Sequence, residues 1–538
     1  GRASYAVRVL LAGGGAIVLS LVQLGPTLEW VPQLWRSLHS WGHLPLSSIR
    51  TFLSRDPMVT AEFAGYAGYV TLFLVPFAFS HPNRRDVLFF SVLLVAAVEI
   101  AFGLPPFYPL SQAVPVVSGL PNGRFLLAAD LSLAVLAGLA LSSLERRDPG
   151  RARPGIPLLA SAALAVLAAW QVFPGEPGIR SAAGSLDRSW TAEAFVVLGI
   201  GAVLLSAAAK TRRATWGIAA LGIAAIDLFT YQHRQLSFTE ARNVFPPAPV
   251  LDALRARTPE GERIATLNVT MGSNFEMMYG LKTPGGYDFL LRRTDRLLRR
   301  FGVRQGKFRV SAAALADPAS AAILDLLGVR YLLATTFNAS SSILERQPSR
   351  FPLALGTQSI RVFENPRALP RAFFLPDTAV RRYGTEDEEA RAVLAPGFDP
   401  RRTLVLSGIG GATGAIGEGA ETFIGGEHFA ESPGRASFDI DAPGPGFAVV
   451  SESSYPGWRA WVDGRRAEVL RADYALQAVS VGPGRHRIVF RYRPPVFWIC
   501  FAISTGAWVA LAVFAVRRPR LSRAGNPTRE RGGEDRAA

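Results

Sequence analysis

Apolar sequence and arginine alternate along this chain in a way that constrains its fold more than any single motif. Apolar runs at 6–24, 61–80, 86–104, 125–144, 156–173, 193–209, 215–231 and 496–516 each approach the roughly 20 residues with which a helix crosses a bilayer. Every second connection is rich in cations: Arg84-Arg85, then Arg146-Arg147 with Arg151 and Arg153, then Lys210 with Arg212-Arg213, then Arg517-Arg518 and Arg520. Short loops of that kind stay on the cytoplasmic side. The same parity sends 23–60, 105–124, 174–191 and the whole block 232–495 to the opposite side. The sequence therefore predicts a multi-pass α-helical membrane protein with a large extracytoplasmic domain between its last two helices.

The formal charge of +16 would suit a nucleic acid as well as a membrane surface. Its placement beside apolar runs, without an aromatic-interleaved basic repeat or finger-type Cys/His spacing, argues for the bilayer and against nucleic acid. Lysine occurs only at Lys210, Lys282 and Lys307, a bias that GC-rich coding explains better than selection for arginine geometry. The one cysteine, Cys500, lies inside the last apolar run, which rules out an internal disulfide and argues against a thiolate metal site. His233, His428 and His486 are scattered without metal-site spacing. The chain starts Gly-Arg-Ala and enters an apolar run at once, and no small-residue cleavage pattern precedes Gln23, Pro26 and Glu29. We read that run as a crossing whose upstream region is missing, so the chain is expected to be the C-terminal portion of something longer.

The expected organisation is a membrane domain of about seven helices at 1–231, an α/β segment at 232–406, a Gly-rich linker at 407–420, an antiparallel β-sandwich at 421–495, a final helix at 496–516 and a basic, disordered tail at 517–538. Within the α/β segment, 263–268 and 329–334 read as strands, and 289–300 and 318–327 carry apolar residues at helical spacing. Beyond the linker the period becomes two, with short β-branched or aromatic stretches at 436–440, 446–451, 458–462, 467–471, 476–481 and 486–493. In the last of them Ile488, Phe490 and Tyr492 share one face and Arg487, Val489, Arg491 and Arg493 the other. Asp463-Gly464 is a hairpin signal, because the tight turn needs positive φ. Pro494-Pro495 ends the final strand and leads straight into the last apolar run, so the sandwich should sit close to the membrane surface.

Tyr455-Pro456-Gly457-Trp458 with Trp461-Val462-Asp463-Gly464, then Arg471-Ala472-Asp473-Tyr474-Ala475-Leu476 and Gly482-Pro483-Gly484-Arg485-His486, resemble the C-terminal domain of bacterial YfhO-type membrane proteins. Gly123-Arg124-Phe125 with Asp130, Tyr279-Gly280, Gly286-Tyr287-Asp288, Leu327-Gly328-Val329-Arg330-Tyr331-Leu332, Glu364-Asn365-Pro366 and Leu369-Pro370-Arg371-Ala372 follow in similar order. Such proteins are similar to GT-C glycosyltransferases. The resemblance implies a donor sugar on a polyprenyl-phosphate carrier, an envelope glycopolymer as acceptor and action on the outer face of the bacterial cytoplasmic membrane. No cofactor is evident from the residues; a divalent cation is implied by the family analogy alone. In those enzymes the acidic residue that activates the acceptor lies in the first outer loop, upstream of this chain, so the catalytic residue is unassigned. Glu29, Asp56 and Glu62 do not correspond to it in position and read as solvated interfacial carboxylates. The alternative function is a non-enzymatic transport or assembly scaffold for envelope polysaccharide.

Asp130 is the candidate of greatest interest, since a carboxylate within an apolar helix is costly and faces a partner or a wet cavity. It either lines a carrier or ion cavity or pairs with another helix. Glu99 and Asp227 carry the same two readings, near the expected outer ends of their helices. Arg124, at the mouth of its helix, either forks onto a carrier phosphate or snorkels to lipid headgroups. The Pro-broken apolar segment 105–110 reads as an interfacial or re-entrant loop beside a cavity. Tyr455, Trp458 and Trp461 are candidate sugar-stacking residues, with ordinary sandwich packing as the other reading; Trp458 and Trp461 should face opposite sides of their strand.

The arginine alternation makes a direct prediction. In a Cys500→Ser background, cysteines placed within 408–419 should react with an impermeant thiol reagent on intact cells, and cysteines within 146–153 should not. The reverse labelling would overturn the topology.

Overall fold

The computed structural model describes residues 2–34, 43–52, 65–114, 117–120, 122–145, 214–235, 239–258, 261–267, 274–286, 290–302, 310–311, 314–315, 317–337, 339–408 and 422–517, with isolated residues between 196 and 211. The run at 156–173, nearly all of 193–209, the loop 146–153, Lys210, Arg212, Arg213, Asp56, Glu62, Tyr287, Asp288, the Gly-rich segment from 409 and the tail from 518 lie outside the described residues. The chain divides into two compact units, Gly1–Trp35 with Pro247–Ala538, and Arg36–Pro246.

In the first unit the run expected as one straight crossing is bent. The helices Arg2–Leu19 and Leu21–Trp30 meet at 72°, and helix continues past residue 24, where a loop was expected. A side chain inserted into the helical ladder explains the bend. Ser504 Oγ, from the final helix Pro495–Arg517, accepts from the Val22 N–H at 2.9 Å and donates to the Val18 carbonyl at 3.0 Å. Those two backbone groups would otherwise bond each other. Gly25 lets the helices close up, because a Cβ there would run into the Cys500 sulfur; small residues permit such approach where packing holds apolar helices together.

In the second unit, Tyr69–Ala78, Arg84–Phe102, Leu126–Glu145 and Ala214–Gln235 share a core that includes Val70, Phe73, Leu136, Ala140, Ala220 and Ala224. The helix within the predicted 61–80 run is only Tyr69–Ala78. Of the two readings left open for Glu99 and Asp227, a cavity role or pairing with another element, the structure shows the pairing. Asp227 is fully buried and accepts from the Tyr66 hydroxyl at 2.7 Å and from the Tyr69 N–H at 3.1 Å, satisfying a helix N-terminus. Glu99 accepts from the Phe107 N–H at 3.0 Å, across the 72° bend between Arg84–Phe102 and Phe107–Ala113. Among the described residues, Asn122–Ser143 and Pro495–Val516 are long and apolar enough to cross a membrane, and up to four spans exist if each bent pair is one.

The remainder of the first unit is built on three sheets. Strands β1 (Arg263–Thr266), β2 (Val329–Thr335), β3 (Leu353–Gly356) and β4 (Ile360–Glu364) form one in the order β1-β2-β4-β3. The next four are β5 (Ala372–Pro376), β6 (Val380–Tyr383), β7 (Leu404–Ser407) and β8 (Ile424–Gly425). Then come β9 (Glu427–Ser432), β10 (Arg435–Ala442), β11 (Gly446–Val450), β12 (Trp458–Val462) and β13 (Arg465–Ala467). The last are β14 (Leu470–Ala472), β15 (Leu476–Val481) and β16 (Gly484–Tyr492). They make a five-stranded sheet, β13-β12-β16-β10-β9, and a seven-stranded sheet, β6-β7-β14-β15-β11-β5-β8. The stretch expected as one strand at 467–471 divides between these two sheets. Asp463 and Gly464 take φ of 50° and 79° at the hairpin, as their sequence predicts.

Strand alternation assigns every inward residue. Phe438, Ile440, Ile488, Phe490 and Ala460 of the five-stranded sheet meet Ala372, Phe374, Ala448, Val450 and Val479 of the seven-stranded one. The intervening residues of the larger sheet, Phe373, Leu375, Val449 and Ala478, join a second core with Leu324, Leu332 and Phe363 of the α/β segment. The larger sheet is thus buried on both faces. This corrects the boundary expected at 407–420: β5, β6 and β7 precede it in sequence, yet β5 pairs with β11 and β7 with β14. Residues 421–495 lack three strands of the larger sheet, β5, β6 and β7.

Several family-like motifs turn out to be structural. Asn365 donates to Asp325 at 2.8 Å and to the Val329 carbonyl at 3.0 Å, so Leu327–Leu332 and Glu364–Pro366 fold against each other. Arg471 grips buried Glu389 through two bonds of 2.9 and 2.7 Å. Asp473, at φ 44°, accepts from the Val405 N–H at 2.9 Å through Oδ1, while Oδ2 is buried with no partner among the described residues. Burial pushes its carboxyl up to about 7. A raised folded pKa means the native state keeps a proton the unfolded chain has lost, so stability falls as pH rises from about 4 to about 7. Asp473→Asn keeps the Oδ1 acceptor and tolerates positive φ. Thermal unfolding of the variant should show a smaller loss between pH 5 and 8 than the parent; parallel profiles would show that Asp473 does not titrate there.

Candidate functional site

The pocket that joins the most candidate chemistry lies between the Leu21–Trp30 helix and the end of the sandwich. It is a shallow, open cleft of about 460 Å³ lined by Gln23, Pro26, Thr27, Trp30, Leu291, Tyr455 and Tyr492. The helix contributes residues at i, i+3, i+4 and i+7, a single face. Pro26 leaves that helix short of an N–H, and the Thr27 hydroxyl donates to the Gln23 carbonyl at 2.7 Å beside it. An isolated antiparallel bridge between Leu34 and Leu291 ties the end of that first segment to the α/β segment at the pocket's edge.

The sandwich side is built by the Tyr-Pro-Gly-Trp signature. Gly457 turns the chain at φ 100°, and a Cβ there would lie 2.9 Å from Pro494 Cα and 3.1 Å from the Tyr492 ring. Only glycine fits. The Tyr492 ring then packs at a tilt against Tyr455, ring centres 6.0 Å apart, and Trp458, 5.6 Å. Burial pushes the Tyr455 phenol up to about 12, with further contributions from Tyr492 and from the negative charge of Glu29; burial and Glu29 raise Tyr492 as well. Both phenols stay protonated at neutral pH and act as hydrogen-bond donors on an aromatic wall.

The three predicted sugar contacts therefore separate. Tyr455 lines the pocket, Trp458 backs the Tyr492 ring while packing on the sandwich core, and Trp461 lies on the opposite face with the Arg491 guanidinium 5.6 Å from its ring centre. Sequence reasoning missed Trp30 and Tyr492. The signal available was the spacing of Gln23, Thr27 and Trp30 within an apolar run.

In the helical unit, Arg124 is exposed in the short turn Asn122–Phe125 that opens the Leu126–Glu145 helix. Asp130 is half-buried one turn further in, and its Oδ1 is shielded without a hydrogen-bond partner among the described residues. Among the described residues no group of three or more His, Cys, Asp or Glu gathers to hold a metal ion.

Comparison with known proteins bears on this end of the sandwich. Residues 436–504 match the family model described as Bacterial membrane protein YfhO. The match spans β10 to β16 and the start of the final helix, and so includes Tyr455, Trp458 and Tyr492. It ties this segment to a family of bacterial membrane proteins. No curated protein and no solved structure matched the chain.

The charge relation around Tyr455 is testable. Glu29→Gln removes a negative charge that disfavours the phenolate, so alkaline absorbance titration should show Tyr455 ionising at lower pH than in the parent. A Tyr455→Phe control identifies its signal. An unmoved titration would place Glu29 outside electrostatic reach.

Proposed function

We propose that this chain belongs to a multi-pass protein of the bacterial cytoplasmic membrane, with its β-rich block outside, that handles a polyprenyl-phosphate-linked sugar and an envelope glycopolymer in the manner of a GT-C glycosyltransferase. The observation that carries the reading is the aromatic pocket itself. Trp30, Tyr455 and Tyr492 offer ring faces to a pyranose while Gln23, Thr27 and the phenols offer hydrogen bonds, the mix of apolar wall and few polar groups that binding sites use. Its helix belongs to a candidate span, and Tyr492 lies three residues before the final apolar helix, whose Trp498, Ile499, Trp508 and Phe514 are exposed. A lipid-borne sugar would meet such a pocket at the membrane edge.

In this reading the helical unit has a carrier-lipid contact of its own, with Arg124 meeting a phosphate and Asp130 lining a wet cavity wall. Tyr455 and Trp458 hold sugar, directly and through Tyr492, whereas Trp461 does not. No base is assigned within this chain, and no step runs through a metal ion.

The test uses the protein in membranes, scored by sugar transfer from a polyprenyl-phosphate donor at matched membrane abundance. Tyr455→Ala and Trp30→Ala should each slow transfer by about ten-fold, roughly 1.4 kcal/mol, and Arg124→Lys should retain more activity than Arg124→Ala. Parental rates in both aromatic variants would remove the pocket from the reaction. Sugar binding without transfer in the parent would favour the assembly scaffold.

A further inference from the structure

The short helical turn Phe275–Met278 of the first unit has its polarity inverted. Phe275, Met277 and Met278 are 50%, 68% and 59% exposed, while Glu276 between them is buried. A turn facing water would show the carboxylate and hide the apolar side chains. Glu276 is held inward: its Oε1 accepts from Thr283 Oγ1 at 3.2 Å, and its carbonyl accepts from the Tyr279 and Leu281 N–H groups at 3.1 and 3.0 Å. Leu281 and Tyr279 then pack with Leu251, Leu254 and Val362. The turn is thus anchored from behind with three apolar side chains projecting. Among the described residues of the β-rich block, the other exposed large apolar residues are Phe337 and Leu353 alone, so the exposure is concentrated here, as at an interaction surface.

We propose that this turn dips into the interfacial layer of the bilayer leaflet at which the final helix enters. The inference needs that helix to sit in a bilayer and stands apart from the sugar chemistry proposed above. Hydrogen bonding and register put the turn at the membrane end of the β-rich block. The final helix follows Tyr492, whose N–H donates to the Gly434 carbonyl at 2.8 Å in the turn between β9 and β10. Glu431, near the end of β9, lies at that same end and pairs with Lys282, which follows the turn closely in sequence. Arg263 at the start of β1 bridges to Lys282 and donates to the Ser451 carbonyl at 2.7 Å, shortly before Tyr455. Trp498, in the first turn of the final helix, is exposed, in a position where Trp marks the boundary between membrane and water.

A cation stands beside the turn. Arg255 is exposed, with its Nε 3.2 Å from where a Cβ on Gly280 would lie, and its guanidinium makes no hydrogen bond or ion pair among the described residues. It can meet a headgroup phosphate while its stem follows apolar surface. Size favours lipid over a protein partner, since specific protein interfaces engage about 20–30 residues a side. A single turn falls far short of that. The bilayer needs no such area, because the final helix already holds the turn at its surface and insertion becomes in effect intramolecular. Methionine suits the place, being apolar and flexible enough to follow irregular surroundings.

The experiment places single cysteines by Met277→Cys, Met278→Cys and Phe337→Cys in a Cys500→Ser background and labels each with a bimane fluorophore. The full chain is then read in phosphatidylcholine nanodiscs with and without doxyl-labelled lipid. Phe337 is the control: it is 84% exposed just beyond β2, and because β1 and β2 are parallel it lies at the end of their sheet away from Arg263. Doxyl lipid should cause loss of fluorescence at 277 and 278 and leave 337 unchanged. Equal quenching at all three sites, or none at 277 and 278, overturns the docking. Shielding of 277 and 278 that ignores doxyl lipid and appears only with two chains per disc assigns the turn to a second copy and overturns it too. Should the Cys500→Ser background fail to fold, the same cysteines are read beside native Cys500 with the labelled parent subtracted. Sugar transfer does not enter the readout, so failed docking leaves the transferase reading standing, and failed transfer leaves the docking standing.

Discussion

The first unit depends on one layer, the seven-stranded sheet that is buried on both faces. A sheet with a wet face can be cut from its neighbours; this one cannot. Phe374 and Val450 point to the sandwich core while Phe373 and Val449, one residue away, point to the α/β core. A one-residue slip of β5 against β11 would exchange the two sets and leave both cores mismatched. Register is therefore fixed from both sides, and the two parts on either side of the Gly-rich segment form one folding unit.

Polar side chains reinforce the same joint. Arg263, at the start of β1, reaches Ser451 just past the end of β11, and Arg371, just before β5, reaches Gly261, Glu431 and Glu452. Burial first, and then the neighbouring Arg263 cation, lowers Arg371 to about 9, countered by Glu452. Buried ions of this kind add little net stability, but removing one partner strands the others. Their more certain effect is to fix the β1 edge against the end of the central sheet.

The aromatic pocket arises from a different conflict, between helix continuity and packing. Ser504 opens the ladder of the first apolar run, Pro26 leaves the helix that follows one N–H short, and Gly25 admits the final helix at close range. The displaced segment presents Gln23, Thr27 and Trp30 toward the two tyrosines that Gly457 and the adjacent final strand hold in place. One helix and the end of the sandwich thus make the two walls, and the final helix holds the first in place because the chain returns to its first helix in its last one.

Much of this was legible beforehand. Period-two alternation located β10, β11, β12, β15 and β16, and it separated Phe490 from Arg491 because a strand's geometry is local. Asp463-Gly464 announced its turn for the same reason, and apolar length announced the 84–102, 126–145 and 495–517 helices. Asp130 could be singled out by cost alone. What sequence could not carry were relations between distant residues: that β5 to β7 complete the sandwich, that Asp227 caps a helix begun 158 residues earlier, that Ser504 bends the first run, and that Tyr455, not Trp461, lines a pocket with Trp30. Local pattern fixes which face of an element is apolar. Only tertiary structure decides which other face it meets, since burial is non-directional and many pairings satisfy the same pattern.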